Sequence, residues 1–257
     1  MSSILTNNGA MTALRTLQTT NRALSTTQNR VSTGMKVADA GDNAARWSVA
    51  ATMRTDATAY GVLSDMHGVA LAAVNLGIKA VDKMVEIYGK IKEKGAEWEQ
   101  ANANGDTDST TALASEIGDL ETAAADIASG AEFTAVNFLT GGSYSIVTDL
   151  AGGTMTVAGT DVSTLTGTTT AAGADTHIDT LKTLGQTLGA AKQSLEARKA
   201  FMDSMNDALK TGTGALVDAD MTEESARLSA LQVQQQLGAQ AMGIANQAPQ
   251  VLLSLFR

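Results

Sequence analysis

Two long apolar stripes with helical spacing, one near each end of the chain, constrain the fold most strongly. Both repeat every seven residues, which places their members on one side of an α-helix. The stripe residues are Leu17, Leu24 and Val31 in the first, and Leu237, Ile244, Val251 and Leu255 in the second. A helix with such a stripe needs a surface to cover it. We therefore expect the terminal helices to pair with each other and then with other copies of the chain, so that these seven residues form an assembly interface.

The composition excludes several classes of protein. Aromatic residues make up only 4% of the sequence, which favours helical packing over a globular α/β enzyme. The net charge of −9 argues against a nucleic-acid partner, because phosphate binding requires clustered lysine and arginine. Cysteine is absent, so the chain has neither disulfides nor a thiolate metal site. Uninterrupted apolar runs all stay well short of about 18 residues, so no membrane insertion is expected.

The central part of the chain shows further helical periodicity. A long periodic run covers residues 44–98, with Asp42 or Asn43 placed to cap it, and a turn around Gly105 reverses the chain. A shorter helix follows, and another with a regular heptad extends from Leu181 to Leu209. We expect that last helix to begin near Thr176 and Asp179, and residues 211–214 to form a short linker.

A threonine- and glycine-rich stretch without lysine or arginine interrupts the helices at residues 138–175. Helix propensity falls there, and Gly152 with Gly153 predicts a hairpin turn, with Tyr144, Ile146 and Leu150 on one strand face. Exposed hydroxyls in this stretch could accept O-linked sugars. The candidate acceptors are Thr164, Thr168 and Thr169.

These patterns predict a mainly α fold: an elongated antiparallel helical bundle or coiled coil, with paired terminal helices and a small β-hairpin region. The predicted domains are a terminal assembly domain (1–43 with 211–257) and a helical rod domain (44–210) that carries the insertion.

Residues with catalytic chemistry are few. Neither histidine lies in a His-Glu-x-x-His motif, and no serine or threonine has a nearby base and oxyanion loop. His67 shares a heptad row with Tyr60 and Val74, so it is expected to be packed between helices, whereas His177 is expected to be solvated. We predict no catalytic, cofactor-binding or metal site.

Two segments resemble a known family. Residues 30–45 read RVSTGMKVADAGDNAA, and residues 218–257 include Asn246-Gln247, Pro249-Gln250 and a closing Leu-Ser-Leu-Phe-Arg. The chain is similar to the bacterial flagellins, in a short form that lacks their variable outer domains. It departs from the family where Phe133-Thr134-Ala135 replaces the usual Phe-Asn-Gly.

The resemblance implies a structural subunit of the flagellar filament, a homopolymer of identical or related flagellins that serves swimming motility. It also implies export without a cleaved signal peptide, an extracellular location, and contacts with an export apparatus and chaperone and with filament cap and hook-junction proteins. Two alternatives stay open: a hook–filament junction protein, and a non-flagellar coiled-coil adaptor. An adaptor would form an oligomer of fixed size, whereas a flagellin forms open-ended fibres.

Overall fold

A computed structural model describes residues 7–255 of the chain, with side chains as far as Gln247. The described part is mainly α-helical, with paired terminal helices and one small antiparallel hairpin, as predicted. Its helices are α1 (Asn8–Thr33), α2 (Ala40–Ala103), α3 (Thr107–Gly130), α4 (Ala171–Val217) and α5 (Met221–Leu255), and its strands are β1 (Ser143–Val147) and β2 (Thr154–Ala158). The predicted stripe residues Val251 and Leu255 lie on α5, but their side chains are outside the described residues.

The chain divides into two compact units. Residues up to Thr55 together with those from Leu209 onward form the terminal unit, and Asp56–Ala208 form the central unit. Helices α2 and α4 contribute residues to both.

Side chains and one glycine set the ends of the first helices. The Asn7 Oδ1 atom accepts from the Ala10 N–H (3.0 Å) and caps α1, which ends at Gly34 with φ 70°. Asn43 has extended backbone within the first turn of α2, and its Oδ1 accepts from the Arg46 N–H at 3.0 Å. Asn43 therefore caps the long helix that follows, as one of the two predicted candidates.

The central unit has a core built from one side of each helix. Residues from the periodic run of α2 and from the α4 heptad are buried there, together with residues of α3. Fully buried examples are Ala70, Val74, Val81 and Met84 of α2, Ile117 and Ala124 of α3, and Leu181, Leu188 and Leu195 of α4. The helical periodicity predicted for both segments therefore supplies core positions.

The hairpin covers part of this core. β1 and β2 pair antiparallel, with Ile146 opposite Met155, and both Ile146 and Val157 are buried. The connecting turn contains Gly152, whose φ of 88° suits glycine. Leu150 lies in this turn and not on the strand face predicted for it, so its side chain is exposed.

Two expectations about α4 are wrong. The helix begins at Ala171, five residues before Thr176, because two groups cap it there. The Thr170 hydroxyl oxygen accepts from the Gly173 N–H at 3.3 Å, and the Glu99 carboxylate on α2 accepts from the Ala171 N–H at 3.1 Å. Residues 211–214 are helical and not a linker. The Thr213 side chain is buried there, so packing outweighs the low propensity of the two glycines beside it.

The two histidines are both shielded from solvent, which was expected for one of them only. His67 is fully buried on α2, as predicted, with Nδ1 2.9 Å from the Leu63 carbonyl oxygen. His177 was expected to be solvated, which is wrong: it is partly buried and meets the Tyr88 ring edge to face, with centroids 5.2 Å apart. The earlier start of α4 places His177 in a formed turn that packs on α2. Burial lowers the pKa of His177.

A tight turn after α3 contains two residues in the left-handed region. Thr134 has φ 47° and Ala135 has φ 63°, while Phe133 and Val136 exchange two backbone hydrogen bonds of 2.9 and 3.0 Å. This geometry is that of a two-residue hairpin turn, for which Asn-Gly is the favoured sequence. The turn lies at the position where the sequence departs from the flagellin pattern.

By length and composition alone, α2 is apolar enough to cross a membrane, with a mean hydropathy of 1.3 over its most apolar window. The core helix of a soluble protein meets the same criterion. Several of the apolar residues of α2 belong to the core described above, so this helix is weak evidence for a membrane span.

Candidate assembly surface

The terminal unit is built around the antiparallel pair of α1 and α5. At one end, the Asn7 Nδ2 group donates to the Ala245 carbonyl oxygen at 2.7 Å. In the middle, the Gln235 Nε2 group donates to Asn21 Oδ1 at 2.8 Å. These bonds fix the register over most of both helices, so the predicted pairing of the terminal helices is confirmed.

An ion pair holds the other end of this helix pair. Arg30 Nη1 lies 3.1 Å from Glu224 Oε1, and the Glu224 side chain is only 6% exposed. Asp220 caps α5 here, because its Oδ1 accepts from the Thr222 N–H at 2.8 Å. A carboxylate this buried is stable only with its cation in place.

Main-chain hydrogen bonds link the segments that follow α1 and precede α5. The Lys36 N–H donates to the Val217 carbonyl oxygen at 2.6 Å, and the Ala219 N–H donates to the Gly34 carbonyl oxygen at 2.9 Å. Val37 is buried against Val217 in a small apolar cluster. The pair of helices is therefore anchored at the point where the chain enters and leaves it.

The side of α5 that faces α1 combines large apolar residues with small and polar ones. Gly238 comes so close to Leu17 that a Cβ added to it would lie 3.3 Å from the leucine Cδ1. The partly or fully buried residues of this inner side are Glu224, Leu228, Leu231, Gln235, Gly238, Met242 and Ala245. Their spacing alternates between four and three residues, which is a heptad pattern of its own. We call it the inner stripe of α5.

A second row of apolar side chains lies on another side of α5 and is largely exposed. Val233 is 54% exposed, Leu237 57% and Ile244 71%. Their spacing of four and seven residues keeps them on one side of the helix. We call this row the outer stripe of α5.

The structure therefore separates the predicted interface residues into two groups. Leu24 is buried and Leu17 and Val31 are partly buried on α1, where Leu17 contacts the inner stripe, whereas Leu237 and Ile244 lie on the outer stripe. Gln235 and Gly238 interrupt the apolar pattern of the inner stripe, so apolar spacing alone does not predict it. The seven-residue spacing of Leu228, Gln235 and Met242 was the available signal.

The predicted sugar acceptors differ in exposure. Thr164 is exposed and Thr169 is partly buried, whereas Thr168 is buried. The Glu121 carboxylate accepts from the Gly167 N–H at 2.9 Å and from the Thr168 N–H at 2.7 Å, which holds this segment against α3. Across the described residues, no group of three or more histidine, cysteine or acidic side chains is placed to hold a metal ion.

Comparison with known proteins gives two family matches. The bacterial flagellin N-terminal helical region matches residues 4–143, and the bacterial flagellin C-terminal helical region matches residues 171–256. The chain belongs to the bacterial flagellin family. Residues 144–170, which include most of the hairpin and the threonine-rich segment, lie between the two matches.

Full-length relatives agree with this assignment. A flagellin of Brucella melitensis is 39% identical, with both chains covered completely. Flagellin FljK of Caulobacter vibrioides is 36% identical and flagellin C of Rhizobium meliloti is 32% identical, each aligned over the whole of this chain. A crystal structure of Bacillus cereus flagellin covers 63% of this chain and 93% of its own, at 21% identity and a TM-score of 0.35. By the two family matches and the sequence relatives, this flagellin is a subunit of the bacterial flagellar filament, and the junction-protein and adaptor alternatives are not favoured.

Proposed function

We propose that this flagellin polymerises through the outer stripe of α5, while the inner stripe holds α1. The observation that supports this is the exposure of Val233, Leu237 and Ile244, because a row of large aliphatic side chains on a surface marks an interaction site. In a filament built from one kind of subunit, that row is covered by other copies.

We also propose the wider setting that family membership supports. The predicted assembly domain comprises residues 1–43 with 211–257, and residues 44–210 form the rod domain. The subunit is exported without a cleaved signal peptide through an export apparatus with a chaperone, and it meets filament cap and hook-junction proteins outside the cell. Its role is structural and not catalytic.

For O-linked sugars, the exposures favour Thr164 over the other two candidates. A hydroxyl must reach solvent to be modified, and Thr168 is buried. The intact mass of filaments from the native source tests this, because an unmodified mass contradicts the proposal. A sugar mapped to Thr168 would contradict the preference for Thr164.

The outer stripe is tested by replacing one of its residues with a small polar one. Burying an isoleucine side chain contributes about 1.5–3 kcal/mol, so Ile244→Ser should raise the critical concentration for polymerisation roughly 10- to 100-fold. Sedimentation measures the critical concentration, and electron microscopy checks the fibres. Gln236→Ser is the matched control, because Gln236 is an exposed polar residue on the same helix.

The two variants should differ in their critical concentrations for polymerisation. If Ile244→Ser assembles at the same critical concentration as the unaltered protein, the outer stripe is not the contact. If Gln236→Ser is impaired to the same extent as Ile244→Ser, the effect is not specific to the stripe and the proposal also fails.

A further inference from the structure

The turn between α2 and α3 contains a residue pair with covalent chemistry of its own. The sequence has two Asn-Gly pairs, Asn8-Gly9 in the first turn of α1 and Asn104-Gly105 in this turn. An asparagine that precedes glycine is prone to lose its side-chain amide, because the glycine nitrogen has no neighbouring Cβ to hinder its attack on the side chain. The two pairs lie in different backbone structures, so the fold can discriminate between them.

The Asn104 side chain is exposed and weakly held. Gln100 Nε2 lies 3.5 Å from Asn104 Oδ1, at the limit of a hydrogen bond. Within the part of the chain whose side chains are described, this is the one hydrogen bond of the Asn104 side chain. No atom lies within 4 Å of a Cβ added to Gly105, so the space around the turn is open. Both water and the Gly105 nitrogen can therefore reach the amide carbon.

The backbone of this turn offers little resistance to the reaction. The Gly105 N–H donates to the Asn102 carbonyl oxygen at 3.1 Å, and this hydrogen bond has to open before the nitrogen can react. It lies at the exposed end of α2, where local opening costs little free energy. Gly105 also has φ 71°, and glycine moves readily between this and other conformations.

The second pair is held by helical structure. Asn8 is exposed like Asn104, but it lies inside α1, where the helical backbone fixes its ψ near −42°. The preceding residue, Asn7, caps this helix and also donates to the Ala245 carbonyl oxygen at 2.7 Å. The Gly9 nitrogen can attack the Asn8 side chain only after this turn has unwound. The two pairs thus share exposure and sequence and differ in backbone conformation.

We infer that Asn104 is a site of spontaneous deamidation. The Gly105 nitrogen forms a bond to Asn104 Cγ and gives its proton to water, and the Cγ–Nδ2 bond breaks with release of ammonia. Water then opens the cyclic imide at either of its two carbonyl groups. The product is an aspartate or an isoaspartate at position 104. Water is the single co-reactant, and no electrons are gained or lost.

Either product changes the charge and the geometry of the turn. The reaction adds one negative charge to a chain whose net charge is −9. The new carboxylate directly follows Ala103, the last residue of α2, where the partial negative charge of the helix end disfavours it. Isoaspartate also adds a methylene group to the main chain, which disturbs the bond from the Asp106 N–H to the Ala101 carbonyl oxygen at 3.0 Å. We expect both products to loosen the connection between α2 and α3.

Incubation of the full chain in mildly alkaline buffer tests the inference without any substitution. Peptide mapping by mass spectrometry follows conversion at positions 104 and 8. Each rate is compared with that of a free peptide of the same sequence, covering residues 101–108 or 5–12. We expect position 104 to convert within about tenfold of its peptide rate, and position 8 to be slowed at least about tenfold more, because its helix must open first.

Two results of this experiment overturn the inference. If the peptide of residues 101–108 converts completely while position 104 in the protein stays unmodified, the turn protects the amide. If position 8 is slowed no more than position 104, backbone structure does not select between the two Asn-Gly pairs.

Two substitutions test the consequence for the turn. Asn104→Asp reproduces the aspartate product, and Asn104→Gln is the matched control because glutamine keeps a neutral amide. Amide-exchange protection of the Gly105 and Asp106 N–H groups should fall roughly 2- to 5-fold in Asn104→Asp, as expected for a carboxylate at a helix C-terminus, and stay unchanged in Asn104→Gln. Equal protection in the two variants contradicts the effect given to the charge. Deamidation of Asn104→Gln at the rate of the unaltered protein contradicts the mechanism, because the longer side chain closes the imide ring poorly.

Discussion

Replacing Thr134 and Ala135 with the Asn-Gly pair typical of the turn they occupy should stabilise the protein. Both residues have positive φ. Glycine adopts this conformation freely and asparagine at a small cost, whereas other residues adopt it only at a larger cost. Both side chains are exposed, so their removal sacrifices no packing. The two backbone hydrogen bonds of the turn do not depend on either side chain.

The expected gain follows from the backbone alone. A non-glycine residue in the left-handed region costs about 1–2 kcal/mol, and β-branched threonine is the less tolerant of the two. Glycine has greater conformational freedom in the unfolded chain, which offsets about 0.5–1 kcal/mol of this stabilisation. We therefore expect Thr134→Asn/Ala135→Gly to raise the free energy of unfolding by about 1–2 kcal/mol. For a unit of this size, that corresponds to a rise in melting temperature of roughly 2–8 °C.

Thermal and urea denaturation of the monomer, followed by circular dichroism, measures this change. Gly105→Ala is the reciprocal control, because Gly105 has φ 71° and no atom lies within 4 Å of the added Cβ. It should destabilise by about 1 kcal/mol for the same reason. If the double variant melts at or below the temperature of the unaltered protein while Gly105→Ala is destabilised, strain at the 134–135 turn is not the explanation.

Three further changes test other parts of the structure. Gly95→Ala should destabilise the protein by about 1–3 kcal/mol in urea denaturation, because the added Cβ would lie 2.8 Å from a backbone nitrogen of α4. Gly89→Ala, in open space on the same helix, should stabilise the protein by about 1 kcal/mol. Burial, with a nearby acidic charge, raises the pKa of Tyr88 to about 12, so the stability that its protonated form contributes is complete below pH 10 and is lost as the pH rises towards 12. Tyr88→Phe should therefore flatten the dependence of the urea midpoint on pH in that window, and an unchanged slope contradicts this. Glu224→Ala leaves a partly buried guanidinium without its carboxylate and should destabilise the α1–α5 pair by about 2 kcal/mol, seen as faster amide exchange in α1. Glu223→Ala, which removes an exposed carboxylate on the same turn, should leave that exchange unchanged.

The sequence predicts a feature well when that feature depends on residues nearby in the chain, and poorly when it depends on a distant segment. The buried rows of α2 and α4 and the packed His67 follow from heptad spacing, because one helix face determines burial there. The start of α4 follows only in part, because Thr170 caps it locally but Glu99, which also accepts a hydrogen bond from its first turn, lies 72 residues earlier in the chain. The burial of His177 depends on that same start. Where a contact from a distant segment sets the local structure, propensity and spacing along the chain do not reveal it.

The two stripes of α5 show the same limit and also suggest why a polymer forms. The spacing of Leu237 and Ile244 was recognised because both are large and aliphatic, and these are the residues that the single chain leaves exposed. The side that α1 covers includes Leu228, Leu231 and Met242, but also Gly238 and Gln235, which bury little apolar surface. Pairing within one chain therefore leaves a row of large aliphatic side chains on α5 without a partner. Burial of that row by neighbouring subunits adds to what the intramolecular pairing contributes, which favours growth of the filament over a self-contained monomer.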